Sequence, residues 1–409
     1  MIRMIRLRRL LVRRADILTF VVGFAIGAGI LGLPVKFGTS GAGFLPSVTM
    51  LILALIFQII TAVYVVEGLD VLGPSEYPKL MEKGLGKWAA ITAYITIAID
   101  LVGAMTAYII FGGEAIYTLS HAWIAVWLGM IIYWIIGVAI TIGGARIIAR
   151  AEETMVAIIM LLLFINVILC LSTPYVNIKN LLWGDWSKMF SVFGIVLFAY
   201  AIHSAIPTAY RTFGMDERYD KLLSLGLTIS ALVYIVWSAA YMSILTPQDY
   251  TKTFVGALTG KIHHGLYGMP APIAVAELGK LKVAALLGYI FGFFTTLTSF
   301  IAAAHALTQI NLELTKAGSK RNMNLVLLIT CIIPLVLALL RLGSFIQWLN
   351  FAGAIGAGIF TGILPCLLAL KLRIKKPENF KPLMPGGIPV VIITLLFYAY
   401  GIAWFLMHG

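Results

Sequence analysis

The chain has 409 residues, 61% of them hydrophobic and only 11% charged, with a formal net charge of +13. Soluble domains carry about 25% charged residues, so this composition excludes an ordinary soluble domain and points to a multi-pass membrane protein. The basic excess gathers in short loops on one side of the apolar segments, which assigns it to membrane topology and anionic-lipid contact rather than to nucleic acid.

A hydrocarbon core of roughly 30 Å takes about 20 apolar residues per helical span. Eleven stretches qualify, at 16–40, 43–72, 87–118, 122–145, 151–173, 188–211, 221–246, 280–312, 323–341, 344–372 and 387–407. With the N-terminus inside, the cytoplasmic pieces 1–15, 73–87, 146–150, 211–221, 313–321 and 371–381 hold 22 of the 30 Lys and Arg. The expectation is a cell-membrane protein with a cytoplasmic N-terminus and an extracellular C-terminus. The first span is long, broken by glycine and followed at once by another, unlike a cleavable signal peptide.

Gly23–Pro34, reading GFAIGAGILGLP, places glycines and a proline inside that first span. Glycine loses more freedom in a helix than alanine, and proline removes a donor. The cluster predicts a helix broken at membrane depth. Freed amides and carbonyls are tolerable there only if they face protein, water or a ligand. Glu67, at the end of the second span, reads as solvated or interfacial, as does Glu114. In the third span Ala93, Thr96, Asp100, Gly103 and Ala107 recur at three or four residues, making one small and polar stripe. A carboxylate as deep as Asp100 costs ~2.5–3.5 kcal/mol on insertion scales, so it should face the bundle interior with a partner. It can serve as a proton acceptor, as a counter-charge to an amine, or as a structural acid.

The sixth segment, 188–211, carries Tyr200, His203, Ser204 and Pro207 after a long apolar run, which predicts a second interruption. His203 is the nearest titrating partner for Asp100. Two interrupted helices, each leading one half of the chain, are the layout of inverted-repeat transporters. The units are a basic N-terminus 1–15, five-helix repeats 16–173 and 188–372, and an appended helix 387–407, all within one transporter domain. The polar loop 247–279 contains His263, His264 and Glu277, and its FVGALTG and PAPIAVAEL stretches suggest short helices across an outer mouth. Thr295, Thr298 and Ser299 place three hydroxyls on one helical face. Cys170, Cys331 and Cys366 stand singly in apolar spans, without disulfide or metal-ligand spacing. Neither a nucleotide-binding loop nor a nucleophile elbow occurs, so no enzyme is expected.

On GAGILGLP at 27–34, FAYAIHSAIP at 198–207 and TTLTSFIAAAHAL at 295–307, the chain resembles the amino-acid/auxin permeases and the bacterial aromatic and hydroxy amino-acid permeases. These belong to the APC superfamily. The resemblance implies an all-α fold of the LeuT type, a five-plus-five inverted repeat with helices 1 and 6 broken, here with an eleventh helix.

A zwitterionic amino acid brings two charges that need oriented dipoles or counter-charges at low dielectric. The amides of Ala28 and Gly29, at the start of the second half of helix 1, would receive its carboxylate. Its ammonium would meet carbonyls at Ala25 and around Phe198 to Ala201. Tyr200 is an aromatic lid or a core tyrosine, and His203 and Ser204 complete the pocket. The resemblance also implies a sodium site from the carbonyls of Gly23, Ile26 and Thr295 and the hydroxyls of Thr298 and Ser299. The family's other sodium site uses an asparagine where this chain has Ile30. Segment 151–173 holds no lysine, the residue with which proton-driven relatives fill the retained site. The same alignment pairs Arg8 with Glu313 as a cytoplasmic gate.

The expected function is sodium-coupled symport of a neutral amino acid by alternating access. The alternatives are proton symport through Asp100 or His203, and a sensor of another class that binds without cycling. Beyond the substrate, the coupling ion and the lipid bilayer, no cofactor, nucleic acid or obligate protein partner is expected.

Overall fold

A computed structural model describes residues 2–143, 145–213, 219–251, 253–255, 262–264, 270–278, 282–315, 320–378 and 380–409. The elements in chain order are α1 (Ile2–Ala25), α2 (Gly29–Thr39), α3 (Phe44–Leu72), α4 (Tyr77–Leu85), α5 (Lys87–Leu119), α6 (Val126–Ile142) and α7 (Ala145–Leu171). They continue with α8 (Phe193–Ala199), α9 (Ile206–Phe213), α10 (Tyr219–Ile244), β1 (Thr253–Val255), β2 (Ile262–His264), α11 (Ala271–Glu277) and α12 (Lys282–Thr315). The last are α13 (Lys320–Leu339), α14 (Phe345–Phe351), a π-helical segment Ala352–Ile363, α15 (Leu364–Lys375) and α16 (Gly387–His408).

Seven helical stretches are individually long and apolar enough to cross a membrane, and α1 with α2 forms an eighth span bent by 45°. Shorter apolar helices lie at Val126–Ile142, Trp186–Ala199 and Met323–Leu339. Their outward faces are apolar, as at Leu161, Phe164 and Ile168 on α7. No water competes for backbone groups on such a face, so every amide must be satisfied inside the helix.

Two expectations need correction. Thr253–Val255 pairs antiparallel with Ile262–His264, Thr253 opposite His264. The start of the FVGALTG stretch is therefore a strand rather than a helix, its β-branched and aromatic residues favouring extended backbone. Glu67 is not solvated: it is 1% exposed and paired with Arg373. The α4 helix, with a proline in its first turn and Gly86 at φ 106° closing it, was not anticipated.

At the centre, α5 packs on α6, α12, α14 and the π segment, and α8 packs on the π segment and on α2. The polar stripe of α5 is buried throughout. A Cβ on Gly103 would lie 3.0 Å from Ala352 Cβ, and one on Gly356 would lie 2.8 Å from Asp100 Cβ. The stripe's small residues thus let α5 seat against the π segment. A π segment carries one residue too many per turn and is commonly found at functional sites.

Candidate transport site

The first break follows from its glycines. Helix α1 stops at Ala25, the Gly27 amide turns back to the Ala25 carbonyl at 2.7 Å, and α2 starts at Gly29. The second break spans Tyr200 to Ala205, where Ile202 donates to the Tyr200 carbonyl at 2.8 Å and Ala205 donates to that of Ile202 at 2.9 Å. Pro207 sits in the first turn of α9, the position where a missing amide costs least. It thereby fixes where the helix restarts.

The two breaks touch. A Cβ on Gly29 would lie 3.1 Å from Ala199 Cα and 3.3 Å from the Phe198 ring. Glycine at 29 is what allows α8 to cross so closely. Ala25, Ala28, Tyr200 and His203 are buried, and Ala201 and Ser204 are half-buried. Tyr200 places its ring 5.5 Å from that of Tyr234, and its hydroxyl has no hydrogen-bond partner. Tyr234, on α10, was not singled out from the sequence: one tyrosine of 17 carries no local signal. Its hydroxyl donates to the Ala25 carbonyl and lies 2.8 Å from the Ala199 carbonyl.

Asp100 and His203 are not hydrogen-bonded to one another. Asp100 is 5% exposed, and its Oδ1 has no hydrogen-bond partner among the described residues. His203 instead meets Thr61 of α3, with Nε2 2.9 Å from Oγ1, and its Nδ1 is unpartnered. Thr61 also lies 3.3 Å from the Tyr398 hydroxyl, and nearby Gln58 donates to Thr361 at 2.9 Å. His203 therefore belongs to a polar cluster joining α3, the second break, the π segment and α16.

The proposed sodium ligands are partly gathered. Helix α12 abuts the first break, since a Cβ on Gly27 would lie 3.1 Å from Ser299 Oγ. Thr298 donates to the Thr295 carbonyl at 3.0 Å, and Thr295 to the Phe291 carbonyl at 2.7 Å. Both hydroxyls keep lone pairs. The Ile26 carbonyl accepts no backbone hydrogen bond among the described residues. Gly23 faces open space. The side chains of Arg8 and Glu313 lie outside the described residues. Helix α9 is held by Arg211, paired with Glu76, and by Tyr210, which donates to Asp70 at 2.7 Å.

A second signal was available in the sequence. The hexapeptide AIGAGI occurs at 25–30 and again at 354–359. The first copy breaks its helix and the second lies in the π segment. Both copies thus include residues that depart from α geometry.

The family model of the tryptophan/tyrosine permease family matches residues 17–404. The chain belongs to that family. No curated protein matches it. The match runs through both breaks, α12 and the π segment, so both breaks of this permease and the helices around them fall inside it. Membership makes the chain a transporter rather than an enzyme, with an amino acid as substrate and the lipid bilayer as its surroundings.

Proposed function

We propose that this permease carries aromatic amino acids by sodium-coupled symport, with alternating access around the two breaks and a five-plus-five inverted repeat of the LeuT type. The observation that carries this reading is the contact of Gly29 with Ala199, which brings the open backbone of both breaks to one point inside the bundle. There the amides of Ala28 and Gly29 are available to a carboxylate at the start of α2, and the carbonyls of Ala25 and Ala199 to an ammonium. The amino acids for which the family is named, tryptophan and tyrosine, supply the side-chain class. The coupling ion is assigned to the oxygens of Gly23, Ile26, Thr295, Thr298 and Ser299, a hard set suited to sodium.

A second reading has its own support. Asp100 is a membrane-depth acid with an oxygen that no described residue satisfies. A proton resolves that cost, and its uptake and release would couple transport to a proton gradient.

Uptake of labelled tryptophan and tyrosine into proteoliposomes, with inward sodium and inward proton gradients imposed separately, tests both. Sodium-driven accumulation lost in the Thr298→Ala/Ser299→Ala variant supports the first reading. Accumulation driven only by protons and lost in Asp100→Asn replaces it with the second. Absence of any gradient-driven uptake of either amino acid removes both.

A further inference from the structure

Two helix C-termini converge on one hydroxyl. Helix α1 ends at Ala25 and α8 ends at Ala199, so each presents a terminal carbonyl and the negative end of its dipole. Tyr234 Oη sits between them, within hydrogen-bond reach of both, and the residue is fully buried. A phenol has one proton, so it serves one carbonyl at a time. Ala25 has a further donor in the Gly27 amide, whereas no other donor reaches Ala199 among the described residues. The point is therefore short of donors and negative in potential. An ammonium group, with three donors and a positive charge, suits it better than a phenol does.

We propose that Tyr234 is a place-holder for the substrate's ammonium: it ties the two breaks together in the empty transporter and yields one carbonyl when an amino acid binds. The inference rests on the amino-acid permease reading and adds a residue and a step to it. Removing the hydroxyl leaves the Ala199 carbonyl without a donor and Ala25 with the Gly27 amide alone until substrate arrives, and an unmet buried acceptor is costly. That cost falls on the empty state alone, so binding relieves it. Tyr234→Phe then binds substrate more tightly and turns over more slowly, because release re-exposes the carbonyls.

The test is uptake of labelled L-tryptophan by proteoliposomes of wild type, Tyr234→Phe and Tyr234→Leu, with equilibrium binding to the purified proteins. The expected result is a KM and Kd lower by about five-fold or more, with a lower Vmax. KM and Kd, unlike Vmax, do not depend on how much protein is active. Unchanged KM with reduced Vmax makes the tyrosine merely structural and overturns the proposal. So does a raised KM, and so does failure of both variants to fold. Absence of tryptophan uptake and binding in the wild type overturns the permease reading instead, which keeps the two failures distinct.

Discussion

Arg373 grips the carboxylate of Glu67 with both terminal nitrogens, at 2.8 and 3.0 Å, although 306 residues separate them. The same carboxylate accepts the backbone amides of Leu383 and Met384 at 2.8 and 2.9 Å. Tyr64 stacks on the guanidinium at 4.8 Å. One buried carboxylate thus fastens α3 to α15 and to the segment that leads into α16. A bidentate fork is the geometry in which arginine binds carboxylate best.

Removing one partner of a buried pair leaves the other charge uncompensated, at about 3–5 kcal/mol. Glu67→Leu should therefore melt well below the wild type in detergent. Glu67→Leu/Arg373→Met, which removes both charges, should recover part of that loss. A single variant as stable as wild type would show that the pair does not fasten these elements.

The broken helices were readable because glycine and proline act through local backbone physics, which needs no partner. The Glu67–Arg373 pair was not, since the position of Glu67 near a span end gave no hint of a partner folded back over it. The π segment lay between these cases: the repeated AIGAGI marks it, but whether such a run breaks or widens a helix depends on what crosses it. At Gly29 the neighbour is the last turn of α8. At Gly353, just before the second copy, it is the first turn of the same helix, at Gly194.

That second crossing predicts an asymmetry between glycines. A methyl group at Gly353 would collide with the Gly194 carbonyl oxygen and lie 2.8 Å from Phe198 Cβ, while one at Gly23 meets nothing within 4 Å. Backbone cannot step aside as a side chain can, so Gly353→Ala should cost at least the ~1–3 kcal/mol of ordinary overpacking. Gly23→Ala should be neutral or stabilising by up to ~1 kcal/mol through helix propensity. Melting of the two purified variants decides it, and equal behaviour would contradict the close approach.

Thr61 is the hub of the polar cluster around His203 and Tyr398. Thr61→Val keeps the shape and removes the hydroxyl, leaving buried polar groups with fewer partners, at about 1–3 kcal/mol. His203→Phe combined with Thr61→Val should cost less than the sum of the single changes, because the two share one interaction. Additive losses in a double-mutant cycle would mean the contact contributes nothing.

Helix α9 is latched to the end of α3 by Tyr210 with Asp70 and to the link before α4 by Arg211 with Glu76. Arg211 is 42% exposed and Glu76 33%, so the ion pair is worth about 0–1 kcal/mol at most. That is too little to matter for folding. States that differ by a few kcal/mol are nevertheless repopulated severalfold by such an energy. Arg211→Gln should leave the melting temperature nearly unchanged and open the side on which α9 lies more often. With a reporter cysteine at the half-buried Ser204, a membrane-impermeant thiol reagent applied from the face on which α9 lies should then react severalfold faster than in the reporter alone. Equal labelling rates would show that α9 is not held shut by this latch.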